Sequence, residues 1–419
     1  MMKQHFMAAL VPLVAQSPEA DFATEPDGGG VVIIGYEGKD KDVVIPATIG
    51  GKPVRGIGEY AFYGCDNLTS VTIPEGVTTV GESAFYGCDN LTSVTIPEGV
   101  TTIGGYAFFG CESLTSVTIP EGVTTIGGSA FYGCDNLTSV TIPEGVTTIG
   151  GYAFFRCKSL ISVTIPDSVT TIGEWAFYGC KSLTAVTIPE GVTTIGDWAF
   201  YDCLDLTSVT IPDSVTTIGE YAFYRCKSLT AVTIPDSVTA IGEYAFSGCE
   251  SLISVTIPEG VTAIGGGAFQ ICSISVHSAN QWYKVIDGVL FTKDGKTLHT
   301  YPAGNTQTAY RIPDSVTTIG ESAFSRCYSL TSVTIPDSVT TIGEYAFYEC
   351  ESLTAVTIPT SVTTIGKKAF AYCTGLASVT IPNSVTAIDE GAFLMCEELW
   401  SGVRKDIEKR FGKKVIEGA

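Results

Sequence analysis

The chain is predicted to be an α/β repeat solenoid, a curved rod of about fourteen 23-residue coils built mostly from short parallel β-strands, with a β-hairpin insertion. Three observations predict this. Cys65, Cys88, Cys111, Cys134, Cys157, Cys180, Cys203, Cys226, Cys249 and Cys272 recur at a step of 23, and Cys327, Cys350, Cys373 and Cys396 resume it. The unit from Leu68 to Asn90, LTSVTIPEGVTTVGESAFYGCDN, returns nearly unchanged. Its apolar positions, Leu68, Val71, Ile73, Val77, Val80, Ala84, Phe85 and Cys88, cannot enclose a core alone, whereas stacked copies cover one another.

Residues 1–22 are read as an export leader or an unstructured tail, since Lys3 precedes an apolar stretch, Phe6–Ala15, ending in Leu13-Val14-Ala15. Residues 23–57 form an N-terminal β cap, with Val31–Tyr36 and Val43–Pro46 joined by YEGKDKD as a strand pair over the first coil. Repeats occupy 58–272 and 311–398. Within a unit, Val71 and Ile73 alternate with Ser70 and Thr72, the pattern of a half-buried strand that Pro74 ends for want of an N–H. Val77–Val80 is a second β-like stretch, Gly81 permits a turn, and the Ala84–Cys88 spacing predicts one helical or 3₁₀ turn. At about 4.8 Å per strand the rod would be on the order of 65–70 Å long.

Cys272 and Cys327 are 55 residues apart, 32 more than one period. The insertion 273–310 contains YKVIDGVLFTKDGKTLHTYPAG (Tyr283–Gly304), whose Asp287-Gly288 and Asp294-Gly295 pairs predict an antiparallel meander projecting from the rod. Residues 399–419 are expected to be a capping helix, with Trp400, Val403, Ile407 and Phe411 on one face and Ser401 as N-cap.

Composition excludes several classes. With 45% hydrophobic and 10% aromatic residues the chain is not disordered, and no apolar run is long enough to span a membrane. A net charge of −21 repels phosphate backbones, so nucleic acid is not an expected partner. The cysteines form no C-x-x-C pair and read as stacked core residues. Neighbouring copies would fall within disulfide reach, which leaves bridging and the redox compartment open.

The pattern L-x-x-V-x-I-P-x-x-V-x-x-I-G-x-x-A-F-x-x-C closely resembles the BspA-like (Treponema-type) leucine-rich repeat family, over about residues 43–398 and at fourteen A-F-x-x-C sites. The stretch IDGVLFTKDGKTLHTYPAG also resembles an insertion of that family. The resemblance implies a leucine-rich-repeat rod, secreted or held at the cell surface, that binds matrix proteins or other cells.

The residues themselves offer columns rather than a catalytic constellation. The histidines are His5, His277 and His299, and no H-E-x-x-H, G-x-S-x-G or G-x-x-x-x-G-K-[ST] motif occurs, so no catalytic residue, metal site or cofactor is assigned. One acidic stripe follows the proline, from Glu75 to Asp337, and another follows the glycine, from Glu59 to Glu344. They serve solubility or, on a sharper reading, collect cations.

A ring precedes Ala-Phe at Tyr60, Tyr106, Tyr152, Trp175, Trp198, Tyr221, Tyr244 and Tyr345, and should point outward because Ala and Phe turn in. Its densest run, Tyr152, Trp175, Trp198, Tyr221 and Tyr244, is the candidate binding stripe. The Ser/Thr strand face hardly varies, which suits a repetitive target better than a small-molecule pocket. The expected function is multivalent binding of protein or glycan. Its rivals are a structural spacer, a catalytic or signalling role centred on the insertion, and ice binding.

Overall fold

The computed structural model describes residues 15–270 and 272–417. Each unit contributes two short extended stretches, so two parallel ladders run along the rod. One ladder consists of Ser93–Thr95 and its copies, the other of Thr102–Ile103 and its copies. Pairing is in register, with Val71 opposite Val94 and Val80 opposite Ile103, so each side chain packs on its own equivalent. Period-2 alternation turns Val94 inward and leaves Ser93 and Thr95 exposed. Pro74 ends its strand, and its carbonyl accepts from the Val77 N–H at 3.1 Å.

The Ala84–Cys88 segment forms no helical or 3₁₀ turn. It is a run of reverse turns, with Tyr86 N–H donating to the Ser83 carbonyl and Cys88 N–H to that of Phe85. Left-handed Ser83 (φ 53°) and Gly87 (φ 68°) interrupt any right-handed helix. Phe85 N–H also donates to the Ala107 carbonyl of the next coil at 2.7 Å, so this side too is joined coil to coil. The glycine after Ile126 is required by that closeness. A Cβ on Gly127 would lie 2.5 Å from the Gly105 nitrogen, and backbone cannot give way.

Inside, phenylalanines stack at 4.9–5.4 Å from Phe62 to Phe269, and a second stack runs from Tyr301 to Phe393. All 14 cysteines are free. Most of their thiols donate to the phenylalanine carbonyl of the preceding coil, as Cys88 Sγ does to Phe62 at 3.1 Å. Burial pushes the thiols of Cys65 and Cys272 up to about 12, and deeper ones such as Cys157 and Cys203 further.

Three regions depart from the sequence-based expectation. At the N-terminus, Gly30–Tyr36 and Asp42–Val44 do not pair with each other. Gly30–Tyr36 lies between Phe22–Asp27 and Lys52–Ile57, whereas Asp42–Val44 starts the other ladder on Ser70–Thr72. Val43 already occupies the register of Val71, so it is a first half-coil and not a lid strand. Residues 1–14 of the expected leader lie outside the described residues. From Ser17 the chain is part of the cap, its N–H bonded to the Val44 carbonyl at 2.9 Å, and Phe22 opens the core.

The 273–310 segment does not project. Tyr283–Ile286, Val289–Thr292 and Thr297–Thr300 form the expected antiparallel meander, turning at Asp287 (φ 49°) and Gly288 (φ 79°) and again at Gly295 (φ 75°). However, Leu290 belongs to the core of the first stack, while Val289 and Phe291 belong to that of the second. Thr297–Thr300 then pairs in parallel with Thr318–Ile319 and restarts the ladder. The insertion is a joint inside the rod, and three consecutive buried side chains mark a strand covered on both faces.

At the C-terminus, the helix Ser401–Phe411 buries Ile407, but Ser401 is its first residue and not its cap. Trp400 takes the cap position with no side-chain bond and is 70% exposed, so it is not part of the apolar face.

Candidate binding surface

The five rings of the predicted stripe come together. Tyr152–Trp175, Trp175–Trp198, Trp198–Tyr221 and Tyr221–Tyr244 stack with centroids 5.6, 4.5, 4.0 and 5.0 Å apart. Tyr152 is exposed and the other four are half-buried. Because each interior ring covers its neighbours' faces, the column presents edges to solvent. Tyr152 alone begins without a ring before it, since Ser129 holds the equivalent position. Tyr244 is the least available, its hydroxyl hydrogen-bonded to Ser322 Oγ at 2.5 Å.

All five have left-handed backbone, φ 53–61°. The same φ recurs at Ser83, Ser129, Ser322 and Lys368 and is taken by glycine at Gly267 and Gly391, so the turn imposes it on any residue placed there. A bulky side chain there costs roughly 1–2 kcal/mol. Ring stacking returns about 0.5–1.5 kcal/mol per pair, which offsets most of that cost.

A second column went unread in the sequence. The residue after each core phenylalanine is also aromatic in Tyr63, Tyr86, Phe109, Tyr132, Phe155, Tyr178, Tyr201 and Tyr224, and these stack at 4.4–5.1 Å. The two columns touch through Trp175–Tyr178, Trp198–Tyr201 and Tyr221–Tyr224 at 5.0–5.5 Å, giving a ribbon two rings wide. Its signal was the same 23-residue step, one position beyond the phenylalanine. Burial pushes the Tyr201 phenol up to about 12, and that of Tyr221 likewise.

The histidines of the insertion serve the fold. His299 donates from Nε2 to the Ile264 carbonyl at 2.8 Å, and its Nδ1 lies 2.8 Å from Thr300 Oγ1. Among the described residues no group of three or more His, Cys, Asp or Glu is placed to hold a metal ion. No helix among them is long and apolar enough to cross a membrane.

The family model described as BspA type leucine rich repeat region matches residues 55–184, 147–276 and 303–415. Among solved structures, a leucine-rich repeat protein from Bacteroides ovatus is 31% identical, with TM-score 0.62, covering 95% of this chain and 97% of that one. A leucine rich cell surface protein from Faecalibacterium prausnitzii is 30% identical, with TM-score 0.54, over 95% and 98%. One from Eubacterium ventriosum is 27% identical, with TM-score 0.52, over 68% and 79%. No curated protein matches. The 23-residue coil, its in-register ladders and these matches together place the chain in the BspA-type leucine-rich repeat family.

Proposed function

We propose that the protein acts outside the cell or at its surface as an adhesion-type binder of protein or glycan, through many equivalent contacts along the Tyr152–Tyr244 stripe. The rod is a scaffold fold and not that of an enzyme. The surface location is supported by the similar Faecalibacterium prausnitzii cell surface protein. The single observation carrying the binding role is the ribbon of two contacting ring columns, partly open to solvent over several coils. Ring edges carry the positive end of the quadrupole and suit a partner that offers repeated carbonyl or hydroxyl oxygens, and avidity then grows with the number of coils engaged.

A second reading has its own support: the rings cover one another's faces, as a column that only stiffens a spacer would. Replacing Tyr152, Trp175, Trp198, Tyr221 and Tyr244 together with Ala separates the two. The binding reading expects adhesion to matrix-coated surfaces to be lost while circular dichroism shows a rod still folded, each single replacement costing little adhesion; the loss of four ring pairs lowers stability by about 2–6 kcal/mol on either reading. A spacer expects no adhesion before or after. Full adhesion by the five-fold variant would end the stripe assignment.

A further inference from the structure

Where the two stacks meet, the repeat leaves a gap. The coil at 264–269 reads Ile-Gly-Gly-Gly-Ala-Phe, with Gly266 and Gly267 where the preceding coil has Glu243 and Tyr244. In the next layer Leu298 pairs with Ile319, and Tyr301 N–H donates to Ala323 as a core phenylalanine would, so this turn is two residues shorter than its neighbour from Ile319 to Phe324. Two successive layers therefore lack the acidic and aromatic side chains of the regular coils. The result is an open cleft of about 430 Å³.

Residues from both sides close on it. Tyr244 leans over Gly267, where a Cβ would come within 2.6 Å of the ring, and reaches Ser322 across the gap. Glu321 lies over Gly266, where a Cβ would meet its side chain at 2.8 Å. Tyr221 and Glu243 line the first-stack wall, and Glu344 and Tyr345 the second. Gln270, 3% exposed, also lines the cleft, its Oε1 accepting from Ser247 at 2.6 Å. With that amide flipped, Nε2 would donate to Ser247 Oγ and Oε1 would face the cleft as an acceptor.

We propose that this cleft receives a primary ammonium group, as at the end of a lysine side chain, between the rings of Tyr221, Tyr244 and Tyr345 and the carboxylates of Glu243, Glu321 and Glu344. The lining is built for a cation. Its one cationic side chain, Arg326, is already engaged, with Nε 3.0 Å from Glu349. Among the described residues Glu243, Glu321 and Glu344 form no ion pair. They are not grouped for a metal ion, and an organic cation gains from the carboxylates and from the Tyr345 ring, on which no other ring stacks, whereas the faces of Tyr221 are covered by Trp198 and Tyr244. A compact ammonium with three donors fits acids arriving from separate coils better than a planar guanidinium, whose fork wants one carboxylate edge-on.

Burial, with Glu243, Glu344 and Glu220 around it, pushes the Glu321 carboxyl up to about 7. The phenols of Tyr221, Tyr224, Tyr244, Tyr345 and Tyr348 and the Arg326 guanidinium line the same space. An ammonium entering at neutral pH therefore expels a proton from Glu321. The cleft goes beyond the stripe reading, because Glu321, Glu344 and Tyr345 lie outside the stripe and the cleft would stand if the stripe bound nothing.

The test is titration calorimetry of the full chain with N-acetyl-lysine methylamide and with n-butylamine, in phosphate and in HEPES, neither of which carries a primary ammonium, at equal ionic strength. Saturable binding is expected, with proton release at pH 7 and affinity rising about tenfold from pH 6 to pH 8. Glu321→Gln should weaken binding about tenfold and abolish the proton release, and Tyr345→Ala should weaken it several-fold, with adhesion through the stripe unchanged in both. Tighter binding of the capped lysine assigns the ammonium to a protein side chain; tighter binding of butylamine assigns it to a free amine. No saturable heat with either probe in the wild-type chain would overturn the proposal. So would undiminished binding by a folded Glu321→Gln chain, or calcium binding at the same place with equal affinity.

Discussion

A regular coil and the joint at 273–310 terminate the same kind of strand in different ways. In the coils, backbone answers backbone: Gly104 N–H finds the Val80 carbonyl, Thr101 N–H finds Thr78, and the next coil repeats both. At the joint the last strand of the first ladder, Ala263–Ile264, meets side chains. Its Ile264 N–H donates to Tyr283 Oη at 3.0 Å, and its carbonyl accepts from His299 Nε2 at 2.8 Å. Asn280, fully buried, donates to the carbonyls of Pro258 and Val261 and accepts from Trp282 and Tyr283 N–H, all within 3.0 Å. A coil thus shares its load with equal neighbours, whereas the joint depends on three residues that occur once.

The difference can be broken from either side. The largest effect is expected for Phe85→Ala, which opens a cavity in the middle of the phenylalanine stack and should cost about 3–5 kcal/mol. Contacts in a solenoid are local, so hydrogen exchange should accelerate mainly in the adjoining coils. An unchanged melting curve would remove Phe85 from the core. Asn280→Ala should cost somewhat less, about 2–4 kcal/mol, by leaving buried backbone groups without partners. Its signature is different in kind: the two stacks should unfold as separate calorimetric transitions. A single undivided transition would show that the cores on either side of Val289-Leu290-Phe291 remain coupled without the asparagine.

The contrast also explains what could be read in advance. Repetition states each structural choice many times, so the strands at Val71 and Val80, the inward Phe85 and the stacked Cys88 were all legible from one unit. The stripe from Tyr152 to Tyr244 was legible for the same reason, and the Tyr63–Tyr224 column could have been. A step of 23 does not say whether rings offer faces or edges, since that depends on how closely coils approach at Gly127 and its equivalents. The joint is stated once. Nothing marks Asn280 as a buried four-bond residue, and although the two hairpin turns around Val289-Leu290-Phe291 announce the meander that forms, nothing in them says that its middle strand is shared by two cores. The cleft was hidden in a different way, because Gly266 and Gly267 matter through the side chains they omit.

The smallest expected effect separates the joint from the coils by pH. Burial holds the His299 imidazole below its ordinary value of 6.5, partly opposed by its bond to the Ile264 carbonyl. The neutral ring donates from Nε2 to Ile264 and can accept from the Thr300 hydroxyl at Nδ1; a proton on Nδ1 removes that acceptor. Since the folded ring binds protons less readily than the unfolded one, its contribution to stability is complete above 6.5 and is lost as pH falls through 6.5 toward the folded value. His299→Gln keeps a side-chain N–H for Ile264 but cannot titrate. Between pH 7 and pH 5 the wild-type joint should therefore lose more stability than the His299→Gln joint, by less than either preceding lesion. The measurement is hydrogen exchange at Ile264 and Tyr301 compared with Phe131 deep in the first stack. Equal pH dependence in the two proteins at Ile264 would mean that His299 caps the ladder without sensing the proton.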